Sequence, residues 1–355
     1  MIHKTTRSIL SVLLAALLLV TSTPLTPAFA GEEGAVSLQS ESDEGRALKP
    51  ADDGTYLIYT ADDLKEFAAI VNGTDGTSTD SDANAKLMNN IDLKDVCGES
   101  NSWTPIGNSS PYSGTFNGDG HTISGLYIGS SGVDYKGLFG RVNGGTVQNL
   151  TVSGNVSGDR HVGGVVGYNS SGTVTGCIFS GSGSVSGNRY VGGVVGYNSG
   201  GSVTNCYNTG TVSGSYVGGV VGQNAAGRVE NCYNTKSVKG NRYVGGVVGY
   251  NSGPVKNCYN IGEVSGTDDY AGGVVGYNNE GRVENCHNIG EVSGNRDVGG
   301  VVGENLGSST VENCYNTGTI TGTDDYVGGV VGYNNGGTVE NCYNTGAVSG
   351  GEDIG

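Results

Sequence analysis

The hexapeptide VGGVVG recurs along this chain at nearly constant spacing, and this period constrains the fold more than any other feature. Copies begin at Val162, Val191, Val217, Val244, Ala271 (as AGGVVG), Val298 and Val327, at intervals of 29, 26, 27, 27, 27 and 29 residues. GLFG at 137–140 holds the same place one period earlier. A period of this length is typical of arrays in which each unit packs on its neighbours. We therefore assign eight units to 135–353, with 354–355 as the start of a truncated ninth.

One unit is long enough for one turn of a β-coil. Residues 191–216 read VGGVVGYNSGGSVTNCYNTGTVSGSY, with three short β-rich runs separated by Gly, Asn and Ser and no helical period. Three strands of about five residues plus three bends need this length. The pattern predicts an all-β fold, a right-handed parallel β-helix (solenoid) of about 27-residue coils, with the hand taken from the twist of connected parallel strands. Propeller blades run to about 40 residues, and the leucine-rich signature is absent.

Aligning the units gives columns of like residues. A Val column and a Cys column are three residues apart, which a flat strand cannot place on one face. An Asn column lies between them, and a left-handed bend at Asn would resolve the conflict, with stacked amides bonding from coil to coil. The predicted corner column is Asn205, Asn231, Asn257, Asn285, Asn313 and Asn341. The predicted inward core column is Cys177, Cys206, Cys232, Cys258, Cys286, Cys314 and Cys342.

The cysteine column could be free thiols, disulfides or a metal site. Disulfides suit an exported protein, but seven is an odd number and Cys97 lies several coils away. Parallel in-register side chains also keep their Cβ atoms too far apart and poorly aimed. Spacings near 27 residues do not resemble a zinc site. We favour buried thiols that act as small apolar groups, with disulfides as the first alternative, and expect no metal and no cofactor.

The N-terminus predicts export. Lys4 and Arg7 precede the apolar run 9–20, and Ala28-Phe29-Ala30 ends it with small residues where a signal peptidase reads. The run is too short to span a bilayer, so 1–30 is predicted to be a signal peptide cleaved after Ala30, with no membrane insertion afterwards. The acidic, Gly/Ser-rich stretch 31–50 is predicted to be a flexible leader.

Residues 51–134 are predicted to begin the solenoid and to cap it. Thr60-Ala61-Asp62-Asp63 forms a capping box, apolar residues follow at 64, 67, 68 and 71, and Gly73 is a stop signal. An amphipathic helix here would cover the first coil and protect the edge of a sheet.

Charge excludes some partners. The formal charge is −16, and removing Lys4 and Arg7 with the signal peptide makes it −18. Such a field repels nucleic acid and anionic lipid, so neither is expected as a partner.

Three tyrosine columns are the best indication of a binding surface. They either stabilise the solenoid by stacking or present an aromatic face to a glycan or a partner protein. The column predicted to bind ligand is Tyr207, Tyr233, Tyr259, Tyr315 and Tyr343. The other two are Tyr168, Tyr197, Tyr250, Tyr277 and Tyr333, and Tyr190, Tyr216, Tyr243, Tyr270 and Tyr326.

No catalytic residues are predicted. The chain has four histidines and no His-Glu-x-x-His, and Asp119 with His121 is better explained as a turn than as an acid–base pair. Polysaccharide-cleaving β-helices need paired carboxylates or calcium with a basic residue on adjacent coils, and the repeat columns are interpreted as showing no such departure. The acidic turns 266–269 and 322–325 lack the calcium-roll nonapeptide.

A family resemblance joins these features. GLFG at 137–140, the VGGVVG copies and the NCYNTG segments resemble the GLUG-motif repeats of bacterial surface proteins. The stretches 55–73, 103–107 and 114–129 resemble the segment that leads into such repeats. The resemblance spans roughly 51–355 and implies an exported, β-helical cell-surface protein. Similar repeats accompany IgA-cleaving metallopeptidases whose catalytic part is a separate domain, so no catalytic residue carries over.

Together these observations predict a non-enzymatic, secreted or cell-surface structural or adhesive module. Its β-solenoid face would bind a surface glycan or a host or cell-surface protein. The alternative is the stalk of a larger surface enzyme, a metallopeptidase or a carbohydrate-active enzyme, whose catalytic domain is not in this chain.

Overall fold

Each repeat unit folds as one turn of a parallel β-solenoid, as the period predicts. The computed structural model describes residues 47–76, 78–129 and 132–355. These residues form about 10 turns of about 28 residues each. The predicted signal peptide, 1–30, and positions 31–46 of the predicted leader lie outside the described residues.

Three sheets, here called A, B and C, run along the solenoid, and their strands pair in parallel between successive coils. Sheet A has 11 strands: Thr55–Ile58, Asn84–Leu87, Thr115–Asn117, Thr146–Gln148, Thr173–Thr175, Ser202–Thr204, Arg228–Glu230, Pro254–Lys256, Arg282–Glu284, Thr310–Glu312 and Thr338–Glu340. Sheet B has eight strands: Phe139–Asn143, Val166–Ser170, Val195–Ser199, Val221–Ala225, Val248–Asn251, Val275–Asn279, Val302–Leu306 and Val331–Asn335.

Sheet C is the largest because most coils contribute two or three short strands to it. Its 22 strands are Ile91–Asp92, Thr122–Gly129, Thr151–Ser157, Arg160–Gly163, Ile178–Phe179, Ser184–Ser186, Arg189–Gly192, Tyr207–Asn208, Thr211–Gly218, Tyr233–Asn234, Val238–Gly245, Tyr259–Asn260, Val264–Gly266, Ala271–Gly272, His287–Asn288, Val292–Gly294, Val298–Gly299, Tyr315–Asn316, Ile320–Gly322, Val327–Gly328, Tyr343–Asn344 and Val348–Ser349.

A helix, α1 (Ala61–Asn72), packs beside the first coils as the capping box predicts. The Thr60 hydroxyl accepts a hydrogen bond from the Asp63 amide at 3.1 Å, and the Asp63 carboxylate accepts one from the Thr60 amide at 2.9 Å. Gly73 ends the helix with a φ of 67°. The Phe67 ring lies 6.2 Å from the Tyr112 ring and 6.0 Å from the Phe116 ring, so the helix covers an aromatic part of the core.

The VGGVVG hexapeptide supplies most of the core in the repeats. Val191, Val194 and Val195 have no solvent exposure, and their equivalents in neighbouring coils are buried as well. The two glycines between them are required by close backbone approach. A Cβ on Gly193 would lie 2.3 Å from the Gly219 carbonyl oxygen of the next coil. Any side chain here would push the coils apart, which explains why the Gly-Gly pair recurs.

The predicted left-handed corner is present at the asparagine column. The φ angles of Asn205, Asn231 and Asn257 are 53°, 54° and 53°. Their amides also bond along the stack: Asn231 Nδ2 donates to Asn205 Oδ1 at 3.3 Å, and Asn257 Nδ2 to Asn231 Oδ1 at 3.1 Å. This corner brings the Val and Cys columns onto the same inward side.

Two further asparagine ladders lie inside the solenoid, and the sequence analysis did not predict them. The side-chain Nδ2 of each asparagine donates to the side-chain Oδ1 of the asparagine in the next coil, at 2.7 to 2.9 Å. Most of these Nδ2 groups also donate to a backbone carbonyl of their own coil. These bonds satisfy groups that would otherwise be costly to bury. One ladder is Asn169, Asn198, Asn224, Asn251, Asn278, Asn305 and Asn334. The other is Asn208, Asn234, Asn260, Asn288, Asn316 and Asn344.

The cysteine column points into the core as free thiols. Six of its seven members are fully buried and Cys342, on the last coil, is partly buried. Each thiol lies near backbone carbonyls, as with Cys206 Sγ at 3.2 Å from the Thr204 oxygen. Burial raises the pKa of the Cys206 thiol, which keeps it neutral. Cys97 is also buried and free, near the Gly125 carbonyl.

Candidate functional site

The tyrosine column proposed for ligand binding forms one continuous ladder on the outer face of sheet C. Tyr207 and Tyr233 stack at 4.6 Å between centroids and 7° between planes, and Tyr233 and Tyr259 at 4.8 Å and 5°. The rings are half-buried, except for Tyr343 on the last coil, which is exposed. The structure therefore brings together all five predicted residues.

His287 completes this ladder between Tyr259 and Tyr315, at 5.1 and 4.7 Å. Burial lowers the pKa of His287, so its ring is neutral at neutral pH and stacks like a tyrosine. We call the six rings the outer ladder: Tyr207, Tyr233, Tyr259, His287, Tyr315 and Tyr343.

An aliphatic patch adjoins the outer ladder on two coils. The column two residues after the rings is Thr in the coils on either side but Ile261 and Ile289 in the middle, one above the other. Their exposed fractions, 46% and 48%, are high for isoleucine. Glu263 and Glu291 stand beside them on the same coils and are exposed. The ladder is thus bordered by an apolar patch with acidic neighbours.

The other two tyrosine columns merge into a second aromatic surface, the tyrosine wall, where sheet C turns into sheet B. Tyr190 and Tyr197 meet edge to face at 5.3 Å, as do Tyr270 and Tyr277 at 5.2 Å. Several members stand in left-handed conformation, including Tyr190 with a φ of 57°. Interlocked rings of this kind stabilise the stack, which favours a structural role for the wall.

Two carboxylates interrupt the tyrosine wall in a single coil. Asp297 stands in the column of Tyr270 and Tyr326, and Glu304 pairs in register with Tyr277 and Tyr333. Both are nearly buried, with exposed fractions of 4% and 7%. Since the tyrosines at these two positions touch in the neighbouring coils, the two carboxyl groups lie close together.

This acidic pair is incompletely neutralised. Arg296 lies 3.7 Å from Asp297 but makes its closer contact, 3.1 Å, with Asp269. Oδ1 of Asp297 is buried without a hydrogen-bond partner. Burial raises the pKa of Asp297 from 3.8 to about 6 against the opposing effect of Arg296. Burial, together with the Asp297 charge, raises the pKa of Glu304 from 4.5 to about 7.

The sequence analysis missed this pair, although the signal was present. The two wall columns were recognised by their tyrosines, and the positions where both fail in one coil, 297 and 304, are visible in the alignment of units. The interpretation concerned paired carboxylates on adjacent coils in a groove, and this pair, which lies within one coil and is nearly buried, is a different departure from regularity that it overlooked. The pair lies within the wall and is not displayed in an open groove.

The remaining sequence candidates take separate partners. The Asp119 carboxylate pairs with Lys86 at 3.0 Å, and the His121 ring contacts the Asn90 amide at 3.3 Å, so these two side chains do not act on each other. Within the part of the chain that the structure describes, no cluster of three or more metal-ligating side chains occurs. The described residues also contain no helix with the length and hydropathy of a membrane span.

The fold and the repeated surface columns define this class of protein: a parallel β-solenoid repeat protein whose stacked coils display aromatic ladders. The GLUG motif matches six times, at 187–213, 213–239, 240–265, 269–293, 294–321 and 325–349. The repeat region 187–349 therefore consists of GLUG motifs, as the resemblance implied.

Two known proteins are similar to it. Halomucin of Haloquadratum walsbyi is 35% identical over 134 residues, which cover 35% of this chain and 1% of Halomucin. The crystal structure of a proposed immunoglobulin A1 protease from Bacteroides ovatus has a TM-score of 0.51 and 21% identity, covering 82% of this chain and 85% of that one. At this identity the second likeness concerns the fold alone.

Proposed function

We propose that this chain is a non-catalytic module of a secreted or cell-surface protein, and that it binds a glycan or a protein through the outer ladder. The observation that carries the proposal is the half-buried, outward-facing ladder with its exposed aliphatic patch at Ile261 and Ile289. The coil does not require exposed isoleucines at this position, because Thr occupies the same column in the other coils of the outer ladder. Aromatic residues are enriched at the centres of interfaces.

The ring geometry indicates how a partner would make contact. Stacking at 4.6 to 5.2 Å occupies the faces of the interior rings, which leaves their edges and the phenol hydroxyls to face solvent. A partner would therefore meet a row of hydroxyl groups and ring edges repeating at the strand spacing of about 4.8 Å. This repeat suits an extended chain, whether polysaccharide or polypeptide.

A non-catalytic role agrees with the placement of the acidic groups. Asp297 and Glu304, the pair that most resembles an acid–base couple, are nearly buried among tyrosines, where a polymeric substrate has no access. A general acid or base must lie within hydrogen-bond reach of the atom it serves. The alternative, the stalk of a larger surface enzyme, assigns the same non-catalytic role to this chain.

A secreted or surface location is part of the proposal. It rests on the predicted signal peptide and on the similarity to Halomucin, a protein whose name is in keeping with an extracellular role. The match spans only 1% of Halomucin, so the properties of that whole protein are not transferred.

A ladder variant tests the proposal on arrays of purified glycans and purified surface proteins. Tyr207, Tyr233 and Tyr259 are replaced together by Thr, which suits an outward strand position. We expect binding to fall at least tenfold while the circular dichroism spectrum is kept. The matched control replaces three tyrosines of the wall, Tyr190, Tyr197 and Tyr250, by Thr. This variant should lose stability rather than ligand specificity. Binding that survives the ladder variant, or turnover of any polysaccharide by residues 31–355, would overturn the proposal.

A further inference from the structure

One coil has a shorter loop than its neighbours where sheet C approaches the next hexapeptide. In this coil four residues, 213–216, lie between the inward-facing Val212 and Val217, where the next VGGVVG hexapeptide begins. The coil before has five, 186–190, and the two after have five, 239–243, and six, 265–270. The strand register shifts between Gly214 and Tyr216, so the missing residue falls at Ser215.

The short loop leaves a concavity of about 410 Å³ between the longer loops on either side, which we call the notch. Its lining includes Gly187, Gly214 and Gly240 from three successive coils. A Cβ on Gly214 would lie 2.7 Å from a methyl group of the buried Val191, and one on Gly240 would lie 2.5 Å from a methyl group of the buried Val217. Close packing against the core beneath the notch therefore favours glycine at these two positions. Its polar side chains include Asn188, Ser213, Ser215, Lys239, Asn241 and Thr267.

Three of these polar side chains are free to bind. Among the described residues, the side chains of Asn188, Lys239 and Asn241 form no hydrogen bond or salt bridge with the rest of the chain, and all three are exposed. Ser215 is half-buried between the two asparagines. Two amides, several hydroxyls and one ammonium group thus converge on one concavity.

The charge of the notch is opposite to that of the chain. Lys239 is the charged residue of its lining, in a protein with a formal charge of −16. Arg189 and Arg242, next in sequence to the lining asparagines, lie 5.3 and 5.2 Å from the centroids of the Tyr216 and Tyr243 rings. Neither forms a salt bridge with any residue that the structure describes. Two aspartates are the acidic neighbours of the notch: the Asp268 amide donates to the Asn241 carbonyl, and the Asp159 carbonyl accepts from the Asn188 amide. More distant carboxylates are screened beyond about 8 Å at physiological salt.

We infer that the notch binds a carboxylated sugar residue of the uronate class. Lys239 would pair with the carboxylate, and the amides of Asn188 and Asn241 with the ring hydroxyls, each of which can both donate and accept. The volume lies in the range of small-molecule sites, about 300 to 1,000 Å³. The inference rests on the proposal that the chain is a binding module, but it does not depend on the outer ladder, which is a separate set of residues.

Titration of the mature chain with sodium glucuronate, followed by NMR, tests the inference, with glucose and sodium acetate as comparison probes. We expect glucuronate to bind at least tenfold more tightly than glucose or acetate. Lys239→Gln should lower the affinity for glucuronate at least tenfold. Asn241→Ala should weaken binding severalfold. Lys65→Gln on the exposed face of α1 removes the same charge elsewhere and should change nothing. Inserting Asn between Gly214 and Ser215 restores the loop length of the neighbouring coils and should abolish binding.

Equal affinity for glucuronate and acetate, or full affinity in Lys239→Gln, would overturn the inference. Lys239 is exposed, so its replacement is not expected to disturb folding, and the melting temperature checks this. The ladder variant at Tyr207, Tyr233 and Tyr259 separates the two proposals. It should bind glucuronate normally, so loss of partner binding in that variant tests only the outer ladder. Failure of the parent chain to bind glucuronate would contradict only the inference about the notch.

Discussion

Raising the pH from about 5 to 8 should weaken the folded state through Asp297 and Glu304. Both pKa values are raised by burial, from 3.8 to about 6 and from 4.5 to about 7. At a pH below the ordinary pKa values of these carboxyl groups, both groups are protonated in the folded and in the unfolded state. As the pH rises past those values the unfolded chain releases protons that the folded chain still holds, so the stabilising contribution is lost through pH 6 to 7.

The magnitude follows from the size of these shifts. Each pKa unit corresponds to about 1.4 kcal/mol, so each carboxyl contributes about 3 kcal/mol to the pH dependence. The two contributions sum to about 6 kcal/mol at most, because part of the Glu304 shift comes from the Asp297 charge and the two titrations are coupled. Exposed fractions of 4% and 7% mean that solvent screening reduces this little.

Urea unfolding at a series of pH values, compared with the double variant Asp297→Asn and Glu304→Gln, measures the effect. The difference between the two proteins should grow by up to about 4 kcal/mol in favour of the variant between pH 5 and 8, because about one pKa unit of the Asp297 shift and about two of the Glu304 shift lie above pH 5, while effects of other carboxylates cancel. Asp268→Asn, an exposed residue in a nearby loop, is the control and should follow the parent. A difference that does not change with pH would refute the reasoning.

Three further predictions concern the stack itself. Asn260→Ala should cost about 3 kcal/mol in urea unfolding, because it removes two hydrogen bonds inside the solenoid, the one that Asn234 Nδ2 donates and the one that Asn288 Oδ1 accepts. Asn257→Ala on the exposed corner should cost about 1 kcal/mol. Gly193→Ala should cost at least about 4 kcal/mol or prevent folding, since its Cβ would meet a backbone oxygen at 2.3 Å, while Gly200→Ala, with nothing nearer than 3.7 Å, should cost about 1 kcal/mol. Denatured protein should titrate eight thiols and native protein should react slowly; quantitative disulfide in unreduced protein would contradict this.

The repeat period and the residue types at its bends were sufficient to predict the architecture. An Asn recurs between the Val and the Cys of each unit, and a left-handed corner at this Asn lets both Val and Cys face inward. Asn205 and its equivalents form this corner. The capping box at Thr60 and Asp63 is a local signal and was read correctly. Such features depend on neighbours in sequence or on strict periodicity.

The buried asparagine ladders and the notch could not be predicted in the same way. Asn198 and Asn208 are polar residues that a strand pattern assigns to solvent, and only their stacking at 2.9 and 2.8 Å on the next coil makes burial favourable. The interval of 26 residues is visible in the sequence, but that the missing residue opens a concavity at Ser215 depends on how three coils pack.

The central claim is that successive units stack in register, since both proposed binding surfaces depend on it. Spin labels at Thr209 and Thr317 test it directly by distance measurement with pulsed electron–electron double resonance. These two positions are 108 residues apart in sequence but lie four coils apart on the same outward column. Four steps of about 4.8 Å predict a backbone separation of about 19 Å, and moving the second label to Thr345 should add about 5 Å. A narrow distance distribution that lengthens by this step is the expected result. A broad distribution, or a step that differs from one strand spacing, would contradict the stacked solenoid and the ladders built on it.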